Sequence, residues 1–289
     1  MKLSKIILAL GAVSAASCVF AANPASSSTN AINAGNVKHL TTGVDTDTDK
    51  NTATYKDKSA ITIWDSSVKG EKFANNKPVA FAKMDKVANN PAVKLLAPGV
   101  VGKDRNGVTV ANLYRMTGAW HLIPRMPDHS KLGRLSYAQV GNLDVYFGDW
   151  SNVAPGAAVG TKGTNYTAFY SGTGRTTNLP TTGTATYTVK GINQYHAQNS
   201  AVLNGTLTAD FSSNKLSGSL KNSGLTIAIN NAAIKTAEAS FSGNATANGT
   251  AGATHGHFFG NQGAAIAGVA DFGRNSELNT AFGGTKTGK

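Results

Sequence analysis

Cysteine is almost missing from this chain: the only one in 289 residues is Cys18. It falls inside a stretch that reads as a secretory signal, Met1 to Ala21, with Lys2 and Lys5 as the positive start, Ile6 to Val13 as the apolar core and Val19-Phe20-Ala21 as a small-x-small cleavage pattern. A mature chain beginning near Ala22 would then hold no thiol, disulfide or thiolate-bound metal. Long apolar runs are missing too. The signal core is too short for a membrane span and no other segment approaches that length. Also missing are a nucleophile elbow, a phosphate-binding glycine loop, a dinucleotide fingerprint and a zincin motif, so the expectation is a binding protein and not an enzyme. Asp144 and Asp149, the nearest thing to a carboxylate pair, read equally well as hairpin surface.

Charge is sparse at 15% of residues, and acidic groups are the rarer kind: 15 Asp and Glu against 27 Lys and Arg, for a net charge of +12. A basic surface suits acidic partners. Nucleic acid is the poorest of these, because the lysines are scattered singly and no Arg-rich helix or zinc-finger spacing is present. A second reading of Ala15-Ala16-Ser17-Cys18, as a lipoprotein site, would change a secreted protein into one anchored on the outer-membrane surface.

What is abundant is small-residue alternation. From Gly183 to Lys289 short strand signals recur at near-constant spacing: Thr184–Val189, Leu203–Phe211, Lys215–Leu220, Leu225–Ile229, Glu238–Ala245, Thr250–Phe259, Ala264–Phe272 and Leu278–Phe282. In the second, Leu203, Gly205, Leu207, Ala209 and Phe211 share one face by the period of two. Asn, Gly and Ser separate the segments. Eight such strands close a barrel, and the small alternate residues predict a narrow interior filled by side chains.

Upstream, residues 22 to 58 are rich in Ser, Thr, Asn and Asp and read as a polar lead-in of loop character. Asp45-Thr46-Asp47-Thr48-Asp49 lacks the glycine and glutamate of a calcium loop and reads as an acidic turn. Ile61–Trp64 is a strand signal, Val79–Val87 fits a short helix or a strand, and Pro91 and Pro98 interrupt the chain beyond it. Leu135–Val140 and Leu143–Trp150 flank a Gly141-Asn142 turn as a hairpin. Val153–Gly163, with Pro155 and three glycines, reads as the domain boundary. The expected division is signal 1–21, ligand-binding domain 22–160 and barrel 161–289, with the domain of Tyr166–Gly172 left open. The fold class is mainly β: an α+β or β-rich N-terminal domain followed by an eight-stranded antiparallel barrel.

The chain's end, Gly256-His257-Phe258-Phe259-Gly260, then Ala264-Ala265-Ile266-Ala267-Gly268 and Ala281-Phe282-Gly283-Gly284, resembles the C-terminal barrel of transferrin-binding-protein-like exported proteins. Within that group the whole chain is most similar to the hemophilins, secreted haem-binding proteins. The resemblance implies a hemophore that binds haem in its N-terminal domain. It also implies export through an outer-membrane translocon that recognises the barrel and delivery to a TonB-dependent outer-membrane haem receptor, with haemoglobin as one source. An alternative with the same barrel is an adhesin or a module that binds a host serum factor. A closed barrel has no free sheet edge, so a monomer is expected.

A haem site needs an axial donor, apolar walls and cationic groups for the propionates. His121, in Trp120-His121-Leu122-Ile123-Pro124-Arg125, has an indole beside it, and Pro124 and Pro127 forbid a continuing helix. It is the first choice of iron ligand, with Trp120 and Tyr114 as walls. His39 is the second choice, from a segment that could fold across the opposite face. His129 could supply that face or a propionate contact, and Arg115, Arg125 and Arg134 are propionate partners. His255 and His257, at spacing two on one strand, point to one face and read as structural or as a minor metal-affinity feature.

Overall fold

The computed structural model describes residues 23–29, 38–48, 53–67, 76–96, 99–116, 129–196 and 201–287. The expected signal, Cys18 included, lies outside them.

Among the described residues, two sheets and two short α-helices build the N-terminal part. The larger sheet has the order β1-β9-β8-β7-β6-β5, antiparallel throughout. It comprises β1 (Ala25–Ser28), β5 (Val101–Lys103), β6 (Thr109–Asn112), β7 (Arg134–Gln139), β8 (Val145–Asn152) and β9 (Thr164–Gly172). A smaller sheet, β2-β3-β4, comprises β2 (Lys38–Val44), β3 (Ser59–Asp65) and β4 (Val79–Ala80). The lead-in expected to be loop thus contributes two strands. Ser and Thr are accepted there because pairing to β9 and β3 supplies the backbone bonds that local propensity does not.

The ambiguous Val79–Val87 resolves into both alternatives in turn, β4 and then α1 (Phe81–Ala88). Pro91 opens α2 (Pro91–Leu96) instead of breaking it, since the first helical residue needs no intrahelical N–H bond. The acidic turn, expected to be solvated, is not so at its start: Asp45 is buried, and its carboxylate accepts the Asp47 and Ala80 N–H groups.

The large sheet is buried on both faces, which is why β7, β8 and β9 read as near-continuous apolar and aromatic runs. One face, with Leu135, Tyr137, Tyr146, Trp150 and Phe169, packs on Leu40, Ile61, Ile63 and Phe81 of the small sheet and α1. The other, with Ala138, Val140, Val145, Phe147 and Tyr170, packs on the outside of the barrel. β9 belongs to this sheet by its register with β8 and β1, and the barrel strands begin at Thr184.

The barrel closes with eight antiparallel strands: β10 (Thr184–Ile192), β11 (Leu203–Asp210), β12 (Lys215–Lys221), β13 (Thr226–Lys235), β14 (Ser240–Ala247), β15 (Thr250–Phe259), β16 (Ala265–Asp271) and β17 (Thr280–Thr287), the last pairing with the first. Asn248 and Gly249, both at positive φ (47° and 89°), make the two-residue turn between β14 and β15. Bulges at Leu216/Gly218 and Asn230/Ala233 sharpen the coil. The interior is filled, with Tyr187, Phe211, Phe241, Phe258 and Phe282 at its centre. Space for these rings comes from glycine: a Cβ on Gly256 would stand 2.3 Å from the Phe241 ring, and one on its register partner Gly268 would stand 2.8 Å from that ring and 2.9 Å from Phe282.

Candidate functional site

The rung Asn112↔Arg134 is the last pair between β6 and β7. Beyond it the Tyr114 N–H donates to the Gly133 carbonyl at 3.0 Å. Two 3-10 turns, Leu113–Arg115 and Ser130–Leu132, then pack together and form the stem of the segment 117–128. Trp120, His121 and Arg125 belong to that segment and lie outside the described residues. The described residues on either side of it are tied to the sheet end. The Trp150 indole donates to the Leu132 carbonyl at 2.8 Å, and the Lys38 amine donates to the Lys131 carbonyl. Lys38 also pairs with Asp65 at 3.3 Å. Burial raises the Asp65 pKa, but hydrogen bonds from Ser67 and the charge of Lys38 outweigh it and hold the carboxyl below its usual range.

The remaining expected residues divide by position. His129 is buried at the foot of the stem, where its carbonyl accepts the Leu132 N–H. Tyr114 is fully buried in the stem, its hydroxyl 3.4 Å from the Ala158 carbonyl. Arg115 is half-buried beside it, and Arg134 is buried on the barrel side of β7.

His39 stands on the other face of β2 from Lys38 and Leu40, since alternate residues face opposite ways. Its register partner is Trp64, whose ring lies 6.4 Å away and tilted by 20°. The indole is 40% exposed and donates to Thr41 Oγ1 at 2.8 Å. His39 Nδ1 is buried with no hydrogen-bond partner among the described residues. A buried imidazole nitrogen left unpaired is the kind of donor that a metal completes, and a half-exposed indole beside it offers a flat apolar wall. An imidazole nitrogen and an indole wall are groups that a haem site uses. Trp64 was invisible as a partner from sequence, because only the β2–β3 register brings the two rings together.

His255 and His257 do share one face of β15, as their spacing requires, and that face meets the large sheet. His255 Nε2 lies 2.7 Å from Ser27 Oγ and His257 Nδ1 lies 2.7 Å from the Tyr170 hydroxyl. Each imidazole thus has one nitrogen engaged in the seam. Among the described residues no group of three His, Cys, Asp or Glu is arranged to hold a metal ion.

Residues 43–164 match the model of the HphA N-terminal heme-binding domain, and residues 177–286 match that of the HphA C-terminal domain. Together the two take in well over half of the chain, in the order of the parent family. The chain belongs to the hemophilin family. In this hemophilin the haem-binding match contains His121 and His129 but begins after His39. Solved structures with a similar fold include haemoglobin receptor HpuA from Kingella denitrificans. In its complex with human haemoglobin it shows 25% identity and a TM-score of 0.41, covering 52% of this chain and 58% of that one. In its apo form the figures are 23%, 0.43, 54% and 62%. The isotype 1 transferrin-binding protein B from serogroup B Neisseria meningitidis shows 19% identity and a TM-score of 0.36, covering 53% of this chain and 34% of that one. The chain spans less than two thirds of the length of each of these three.

Proposed function

We propose that this hemophilin is a secreted hemophore that takes up one haem in its N-terminal domain through His121. The observation that carries the reading is the haem-binding domain match over 43–164, within which the sequence places His121 between Trp120 and Arg125. Bound haem supplies an iron with axial positions open to imidazole nitrogen. The protein's part is to present that nitrogen, cover the macrocycle and hold the propionates. His121 is the principal ligand, Trp120 a wall, and Arg115 and Arg125 the propionate partners, since guanidinium matches carboxylate geometry. His39 is the second ligand, a role supported by its unpaired Nδ1 and by Trp64. Haem reaches the protein free or from haemoglobin.

Release outside the cell follows removal of the Met1–Ala21 signal and passage through an outer-membrane translocon that recognises the barrel. Acylation of Cys18 would instead leave the protein on the surface. Haem is then handed to a TonB-dependent receptor.

The test is a haem titration of the mature protein read in the Soret region, beside His121→Ala and His39→Ala. Wild type saturates at one haem, His121→Ala loses the ligated spectrum, and His39→Ala changes the spectrum while retaining haem. An absence of any saturable change in wild type removes haem as cargo and turns the barrel into part of a protein-binding surface module.

A further inference from the structure

Arg134 opens β7 on the face turned toward the barrel, and only 4% of it is exposed. Its Nη1 donates to the Thr161 carbonyl at 3.0 Å. Among the described residues no carboxylate oxygen lies within 4.0 Å of the guanidinium. Asp149, buried on the same face, commits its Oδ2 elsewhere: to the Tyr195 N–H at 2.6 Å and the Tyr166 hydroxyl at 3.3 Å. Burial pushes the Asp149 pKa up to about 6, against the pull of the Tyr195 hydrogen bond and the Arg134 charge.

Asp149 answers the Arg134 charge through space but makes no ion pair with it, so the planar fork is left without a carboxylate among the described residues. Arg134 faces a cavity of about 210 Å³ between the start of β9 and the barrel turn that precedes β17. Lys162 brings a second positive charge to the wall, and Ser151 and Thr164 bring hydroxyls. Glu277 is the carboxylate in the lining; it is exposed and stands on the barrel side. The planar fork of an arginine with hydroxyls around it is the arrangement that holds a carboxylate in two parallel hydrogen bonds.

We propose that this cavity is a carboxylate-binding site joining the N-terminal domain to the barrel, with Arg134 as the fork and Lys162 as the second cation. The volume suits a small organic acid and is far too small for a porphyrin ring. The cavity does lie at the sheet end from which 117–128 departs, so the carboxylate comes either from a free small acid or from a haem side chain. Only the second source rests on the haem reading.

The probe is succinate, titrated calorimetrically into the full mature protein at low ionic strength, haem-free and haem-loaded. Haem-free wild type gives saturable one-to-one binding, weakened at least tenfold by Arg134→Gln and several-fold by Lys162→Gln. Lys162 is exposed, so its variant keeps the test decisive if Arg134→Gln fails to fold. Succinate binding that persists in the haem-loaded protein assigns the site to a free acid; binding lost on loading assigns it to a haem carboxylate. No saturable heat with haem-free wild type, or binding that Lys162→Gln and a folded Arg134→Gln leave unchanged, overturns the proposal. A failed Soret titration of the same sample leaves the succinate result standing.

Discussion

The Tyr170 hydroxyl and His257 Nδ1 stand 2.7 Å apart across the seam between the large sheet and the barrel. Burial, then the nearby positive charges of Arg175 and His255, lower the His257 pKa to about 4, with Glu238 opposing. His255 is lowered as well, by burial, against the charge of Asp271. Unfolded, each imidazole takes up its proton near pH 6.5; folded, His257 does so only near 4. Between those values the unfolded chain binds more protons at His257, so the stability this residue contributes is lost as pH drops from about 6.5 to about 4; Asp149, raised to about 6, gains stability over the same fall and opposes it. After allowance for partial solvent access, His257 accounts for about 1–2 kcal/mol of that loss. Urea midpoints at pH 7.5, 5.5 and 4.5 should show wild type losing stability relative to His257→Gln as pH falls; parallel curves would mean that His257 does not carry the dependence.

Gly256→Ala should destabilise the barrel by about 2 kcal/mol, within the range for overpacking a filled core. The added methyl has nowhere to go: it would stand 2.3 Å from both the Phe241 ring and the Ala267 carbonyl. Thermal unfolding of the two proteins decides the point, and an unchanged Tm would show that Phe241 can move aside.

The barrel was legible in the sequence because its period-two signal is strong and repeats between turns of Asn, Gly and Ser; all eight expected segments are strands of the closed sheet. β1 and β2 were not legible, since Ala25-Ser26-Ser27-Ser28 and Lys38-His39-Leu40 are strands by virtue of partners elsewhere in the chain, β9 and β3. The same limit applied to the site. His39 could be chosen for its chemistry, but its pairing with Trp64 is a fact of register. Arg134 could be chosen as a cation, but its burial with no ion pair among the described residues depends on how the sheet meets the barrel.

Tyr195 ties the β5–β6 hairpin to the barrel. Its hydroxyl donates to the Asp104 carboxylate and accepts from Asn106 Nδ2 at 2.7 Å, while Lys190 reaches the Asn106 carbonyl at 2.9 Å. Burial, followed by the bond to Asp104, pushes the phenol up to about 12, so it stays a donor throughout the working range. Tyr195→Phe should cost about 1–2 kcal/mol. Hydrogen exchange should quicken in β5 and β6 while the barrel strands keep their protection. Uniform loss across both would mean that the hairpin and barrel unfold as one unit.

Trp64→Ala tests the β2–β3 face as a wall for haem. The indole is 40% exposed and its hydrogen bond goes to Thr41, so its removal should shift Tm by no more than about 2 °C. If haem lies against it beside His39, affinity should fall about tenfold, the loss of about 1.4 kcal/mol expected for one aromatic contact. His39→Ala in the same background should then weaken binding by less than it does alone, because the two rings act on one ligand face. Equal haem affinity in wild type and Trp64→Ala would move the macrocycle off this face and leave His121 without His39 as its counterpart.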